Sequence, residues 1–309
     1  MPRALPKRDL LSLRDVASDL PSLLVRSARL KAERHRGHLR ASLRGKTLGM
    51  IFEKPSTRTR TSFEVAINDL GGHAIYLSPR DLQLGRGETI ADTARVLSRY
   101  CDAIAYRAFR HSDMVELARW ATVPVVNALD DLEHPCQVVA DLATMRERWN
   151  GRFAGRRLGW VGDGNNVLHS LLLGCATVGL DIVAAAEELA RRSGTTVRLT
   201  TDPRAAARGA HAIYTDVWVS MGDEAEQAAR EEAFRAFQVN EELLRLAATD
   251  AFVLHDLPAH RGQEITDEVL DGPRSAAWDQ AENRLHAQKA ILELLLGSGR
   301  PSRRPRSGR

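Results

Sequence analysis

The chain has no apolar run long enough to cross a membrane. Its longest uncharged stretch of interest, Gly164–Leu180, is 17 residues and includes Asn165, Asn166, His169, Ser170 and three glycines. That is short of the ~20 apolar residues a span needs. No apolar h-region follows the charged first residues, so no secretory signal is expected. Cysteine is scarce. Cys101, Cys136 and Cys175 are odd in number and widely spaced, which argues against a disulfide framework and for a reducing compartment. They read as small buried hydrophobes. The pattern G-x-x-x-x-G-K-[ST] is absent, so there is no P-loop.

Excess positive charge is also missing from the body of the chain. Lys and Arg number 44 against 40 Asp and Glu, a net charge of +4. Residues 1–50 hold 12 basic and 4 acidic residues, and residues 297–309 hold 5 arginines with no acid. The remaining body is therefore net acidic. Nucleic-acid binding needs a basic face on the folded domain itself, and a basic average made by two ends does not supply one. No nucleic-acid or membrane partner is expected.

What is present is an alternation. Leu48–Phe52, Ala74–Leu77, Ala103–Tyr106 and Val123–Asn127 read as strands, with helices over Arg58–Leu70, Thr89–Tyr100 and Met114–Ala121 between them. A leucine-rich helix over Asp9–Arg36 precedes them, and a long helix, Pro135–Trp149, follows. The pattern then restarts. Arg157–Val161, Asp181–Ala186, Thr196–Thr200, Ala212–Thr215 and Phe252–His255 read as strands, with a helix over Asn166–Val178. The expected fold is α/β, with two doubly wound parallel-sheet domains joined by helices and a site in the cleft between them. The expected divisions are 1–149, 150–278, a last helix 279–296 returning to the first domain, and a disordered basic tail 297–309.

Six clusters could carry chemistry. Ser56-Thr57-Arg58-Thr59-Arg60 opens a helix just after a strand. The first N–H groups of a helix are unsatisfied and its dipole favours an anion. Arginine in the first turn is unfavourable by ~0.3–1 kcal/mol in isolation, a conflict that an anionic ligand removes. His134-Pro135-Cys136-Gln137 opens the long helix; alone, a histidine there is more often structural. A neutral imidazole and an amide can together grip a carbonyl oxygen and an NH2 group. Gly162-Asp163-Gly164-Asn165-Asn166-Val167 resembles a dinucleotide turn, but Val167 occupies the third glycine position and disfavours a dehydrogenase. Asp216, with Ser220-Met221-Gly222, follows another strand; it is equally readable as a solvated loop. His255-Asp256-Leu257-Pro258 ends the last strand, and Glu282-Asn283-Arg284 lies early in the last helix. Ligands of such folds bind beyond the carboxyl ends of parallel strands.

Together these motifs resemble the aspartate/ornithine carbamoyltransferases, on the ornithine-using side, from about Asp9 to Leu296. The resemblance implies a transferase that moves the carbamoyl group of carbamoyl phosphate to the δ-amine of L-ornithine, giving citrulline and phosphate, without metal or organic cofactor. It implies that Ser56, Thr57, Arg58 and Thr59 hold the phosphate and that Arg107 bridges phosphate and carbonyl oxygen. His134 would polarise that oxygen and Gln137 fix the NH2 group. Gln83 would reach a neighbouring subunit's site. Asn166, Asp216, Ser220 and Met221 would hold ornithine, with Leu257 and Arg284 closing the site. It further implies a cytoplasmic homotrimer. The cations suited to a phosphate-bearing substrate are then Arg58, Arg60, Arg107 and Arg284.

Two departures stand out. Asp256 occupies the place of the family's usual cysteine. A carboxylate there can pair with the δ-amine and act as base, at a cost beside phosphate unless Arg284 offsets it. Only nine residues, Glu187–Thr195, separate two strands where the family has a longer loop and helix. Rival readings are a sister enzyme using putrescine, lysine or an acylated ornithine, and a weak paralogue acting by assembly.

Overall fold

The computed structural model describes residues 7–78, 82–84, 87–185, 198–219 and 227–297. The nine-residue crossover, Ser220, Met221 and nearly all of the basic tail lie outside these residues.

The first unit alternates β1 (Thr47–Phe52), α2 (Thr57–Asp69), β2 (His73–Leu77), α3 (Ile90–Tyr100), β3 (Ala103–Arg107), α4 (His111–Trp120), β4 (Val125–Leu129) and α5 (Pro135–Arg148), after α1 (Leu20–His35). Its four strands are all parallel, in the order β2-β1-β3-β4. The second unit holds β5 (Arg157–Val161), α6 (Asn166–Val178), β6 (Asp181–Ala185), β7 (Arg198–Thr200), α7 (Pro203–Ala207), β8 (Ala212–Thr215), α8 (Gln227–Phe234), α9 (Glu241–Leu244), β9 (Phe252–His255) and α10 (Asp267–Leu270). Its five strands are also parallel, ordered β7-β6-β5-β8-β9. The last helix is α11 (Ala277–Leu296).

The first expected helix is corrected. It begins at Leu20, not Asp9. Leu10 instead bridges to Val126 beside β4, and Leu13–Val16 forms a short 3-10 turn. Ser12 and Asp15 satisfy each other's backbone N–H groups in a capping box, which fixes this turn as a separate piece. Its leucines still face the core, so their spacing resembled one long helix. The helices α7 to α10 were not anticipated, because four to eight residues carry too few turns to show a period.

One core runs through both units. It joins Leu24 of α1, Phe63 of α2, Leu142 of α5, Leu171 of α6 and Ile291 of α11 with the inward faces of both sheets. Smaller clusters cover the outer faces, around Tyr106 and Leu117 in the first unit and around Ile213 and Leu243 in the second. The long α5 is buried almost throughout, and α11 packs against α1, α2 and α5. The three cysteines are buried and unbridged.

In each sheet the strand order reverses direction once, between β1 and β3 and between β5 and β8. Loops leaving adjacent strands at such a point diverge and open a crevice.

Candidate active site

Both crevices open into one cavity of about 440 Å³. Its walls come from the first unit (Ser56 to Thr59, Arg107, Leu129, His134), the second (Asn166, Asp216, Asp256, Leu257) and α11 (Arg284). The cavity also takes in His260, which the sequence reading did not single out.

The phosphate-type end is built by backbone. Ser56 caps α2 and its hydroxyl accepts the N–H of Thr59 at 3.2 Å, a cap worth ~1 kcal/mol. The N–H groups of Thr57 and Arg58 are left at the open end of the helix. Arg107, the last residue of β3, is fixed by pairing with Phe52 and by its carbonyl accepting the N–H of Glu53 at 2.9 Å. The Glu53 carboxylate accepts from the Tyr106 hydroxyl at 2.8 Å and the Phe109 N–H at 2.7 Å, which holds the loop after Arg107. Burial and the nearby Arg284 push the Arg107 guanidinium down to about 10, so it stays charged at neutral pH.

Arg284 is 3 % exposed; it donates to the Thr59 hydroxyl and to the Gln137 amide oxygen. Among the described residues, the Nε atoms of Arg107 and Arg284 and Nδ1 of His134 have no hydrogen-bond partner. Burial, then Arg284 and Arg107, depress His134 well below the usual imidazole range. It is a neutral imidazole, with one nitrogen able to donate.

Gln137 does not line the cavity. It is fully buried behind Arg284, with its amide nitrogen donating to Asp141 at 2.8 Å. Its oxygen has two lone pairs, so accepting from Arg284 does not exhaust it. Arg60 is corrected outright: it stacks 3.7 Å from the Tyr76 ring centroid and lies outside the cavity. Residues two apart on a helix point in opposed directions, so Arg58 and Arg60 cannot share one face. Gln83 is exposed and also lies outside the cavity.

The opposite end is acidic. Gly162, at φ 149°, turns the chain out of β5 where a side chain would be strained. Asn165 caps α6 and donates to the Asp216 carboxylate at 2.5 Å; the Val217 N–H also donates to Asp216, at 2.7 Å. Asn166 donates to the Asp130 carbonyl at 2.6 Å, tying one wall to the other. Asp256 lies beside Asp216, and burial together with that neighbour pushes it well above the usual carboxylate range.

The Asp216, His255 and Asp256 donor atoms lie within 4.8 Å of one another. His255 is not available as a metal ligand, however. Its Nδ1 accepts the Leu257 N–H at 2.9 Å, which leaves Nε2 to donate to Glu264 at 3.0 Å. With the imidazole occupied, the two carboxylates suit an amine better than an ion. Leu257 holds a positive φ of 61°, unfavourable for a branched residue and typical of strain kept at a ligand site.

Comparison with known proteins agrees with this two-walled arrangement. Residues 8–147 match the family described as aspartate/ornithine carbamoyltransferase, carbamoyl-P binding domain, and residues 154–295 match its Asp/Orn binding domain. The chain is 53% identical over 307 residues to an ornithine carbamoyltransferase of Methanoculleus marisnigri, covering 96% of this chain and 99% of that one. It is 51% identical to a catabolic ornithine carbamoyltransferase of Thermoplasma acidophilum, over 94% of this chain and 99% of the other. The solved structure of the Pyrococcus furiosus ornithine carbamoyltransferase superposes with a TM-score of 0.89 at 50% identity, over 96% of this chain and all of that one.

Proposed function

The chain belongs to the aspartate/ornithine carbamoyltransferase family, and from that premise we infer that it transfers the carbamoyl group of carbamoyl phosphate to the δ-amine of L-ornithine. The observation that carries the reading is the charge set of one cavity: Arg58, Arg107 and Arg284 together with Asp216 and Asp256. Such a set can hold a dianionic phosphate and a cationic amino acid side by side.

Carbamoyl phosphate enters with its phosphate at the open end of α2, held by Ser56, Thr57, Arg58 and Thr59. Arg107 spans phosphate and carbonyl oxygen, and His134 donates to that oxygen. Arg284 charges the same corner and is held from behind by the Gln137 oxygen, which accepts from its guanidinium. Ornithine binds with its amino-acid end at Asn166, Asp216, Ser220 and Met221, and Leu257 covers the junction.

The δ-amine reaches the cavity as an ammonium and must lose a proton. Asp256 accepts it. The raised affinity of this carboxylate for a proton makes it a better base than an exposed aspartate. The free nitrogen lone pair then forms a bond to the carbamoyl carbon. Charge collects on the carbonyl oxygen, where preorganised donors are worth most. Collapse breaks the carbon–oxygen bond to phosphate, which leaves with the bonding electron pair and takes the second proton of the attacking nitrogen, so that citrulline and hydrogen phosphate result. Placing two reactants end to end supplies much of the rate.

The same reading carries a homotrimer, in which the exposed Gln83 reaches a neighbouring site, and a cytoplasmic setting. No helix among the described residues is long and apolar enough to cross a membrane. Product analysis tests the function: citrulline and phosphate should form in equal amounts. Phosphate release without citrulline would sink it.

A further inference from the structure

Away from the cleft, α1 and α11 bring together His35, Glu282 and His286, which the reaction does not use. Their donor atoms lie within 4.8 Å of one another. His35 Nε2 is 2.8 Å from Glu282 Oε1, and His286 Nε2 is 3.6 Å from the same oxygen. A tetrahedral zinc ion with ligands at ~2.0–2.1 Å sets neighbouring donors ~3.4 Å apart, so small side-chain movements suffice.

The observation that lifts this cluster above a surface ion pair is His286. It is 0 % exposed; among the described residues Nδ1 has no hydrogen-bond partner, and Nε2 has none nearer than Glu282 Oε1 at 3.6 Å. Such a buried, unsatisfied group calls for an explanation. Glu282 and His286 are four residues apart and therefore share one helix face. Lys31 Nζ lies 3.4 Å from the other carboxylate oxygen, Glu282 Oε2, which turns Oε1 toward the two imidazoles. Lys289 is a second cation close enough to act on His286. The two lysines oppose a cation here, which limits affinity without removing any ligand.

We propose that His35, Glu282 and His286 form a binding site for a divalent transition metal, of the zinc type, that staples α1 to α11. Two imidazoles and one carboxylate with an open fourth position are a zinc donor set. Arg284 lies between the two α11 ligands in sequence, so an ion bound there would restrain the helix that carries it.

Zinc titration of the untagged, full-length protein tests this, read by calorimetry and by thermal midpoint. Cobalt substitution reports tetrahedral geometry through its visible spectrum. The parent should bind one equivalent and gain thermal stability that a chelator reverses. His35→Ala and Glu282→Gln are the informative variants, because both side chains are exposed, at 57% and 40%. Each should weaken zinc binding about 10-fold or more, with metal-free citrulline turnover unchanged. Asp256→Asn, which disarms the carboxylate pair in the cleft, should keep the site. Equal affinity in the parent and both α1/α11 variants would overturn the proposal. So would absence of binding by the parent, or loss of the site in Asp256→Asn.

Discussion

Arg284 of α11 donates to the Thr59 hydroxyl in the first turn of α2, across 225 positions of sequence. The last helix thereby brings a buried cation to the open end of α2, where we place the phosphate. Its second donor engages Gln137, so the guanidinium fork spans two elements. Arg284→Gln should lower kcat/KM for carbamoyl phosphate by ~10²–10³-fold. Arg284→Lys should rescue little, since an ammonium has no planar fork. Initial rates at varied carbamoyl phosphate decide it, and full rescue by lysine would contradict this geometry.

Asp141 is a fully buried carboxyl on α5. It accepts from Gln137 at 2.8 Å, Gln280 at 2.7 Å and the Tyr214 hydroxyl at 3.2 Å, joining both units to α11. Burial raises it to about 7 from an ordinary 3.8. The folded chain thus holds a proton that the unfolded chain releases. Stability from this group is present at low pH and is lost as pH rises from about 4 through about 7. Asp141→Asn is neutral throughout. Denaturant unfolding at several pH values should show the parent losing ground against the variant across that window. A constant difference would refute the assignment.

Gly159 sits in β5, where an added Cβ would lie 2.6 Å from the Ala206 carbonyl oxygen of α7. Backbone cannot step aside as a side-chain tip can. Gly159→Ala should cost ~1–3 kcal/mol by forcing α7 off the sheet. Because β5 leads into the Gly162–Asn166 turn, the KM for ornithine should rise with it. Thermal unfolding and kinetics together check this, and an unchanged unfolding midpoint would contradict it.

The sequence was most legible where period and punctuation agreed. The strand ending at Phe52, followed by the capping Ser56, located the open N-terminus of α2 directly. Alternation of strand and helix gave both sheets, and the two reversal points follow from their topology. Three things were hidden. The break at Ser12–Asp19 was masked because its leucines keep facing the core through a non-helical turn. Arg60 looked equivalent to Arg58 because sequence proximity does not convey opposite helix faces. His260 carries no local motif; it reaches the cavity because its N–H donates at 2.6 Å to Glu264, which also holds His255. Such a contact exists only after folding.

In the proposed reaction Asp256, beside Asp216 in the cleft, takes the proton from the attacking amine. Its affinity for protons is raised, so its basic form, and with it the rate, is lost as pH falls. The direct measurement is the pH dependence of citrulline formation in the parent, Asp256→Asn and Asp256→Cys. Asparagine keeps the shape and removes the base. Its kcat should fall by ~10²-fold or more, and the acidic limb set by the carboxylate should disappear. Cysteine should recover part of the loss with a limb moved to higher pH, since a thiol titrates later. If Asp256→Asn matches the parent in both rate and pH profile, Asp256 is not the base.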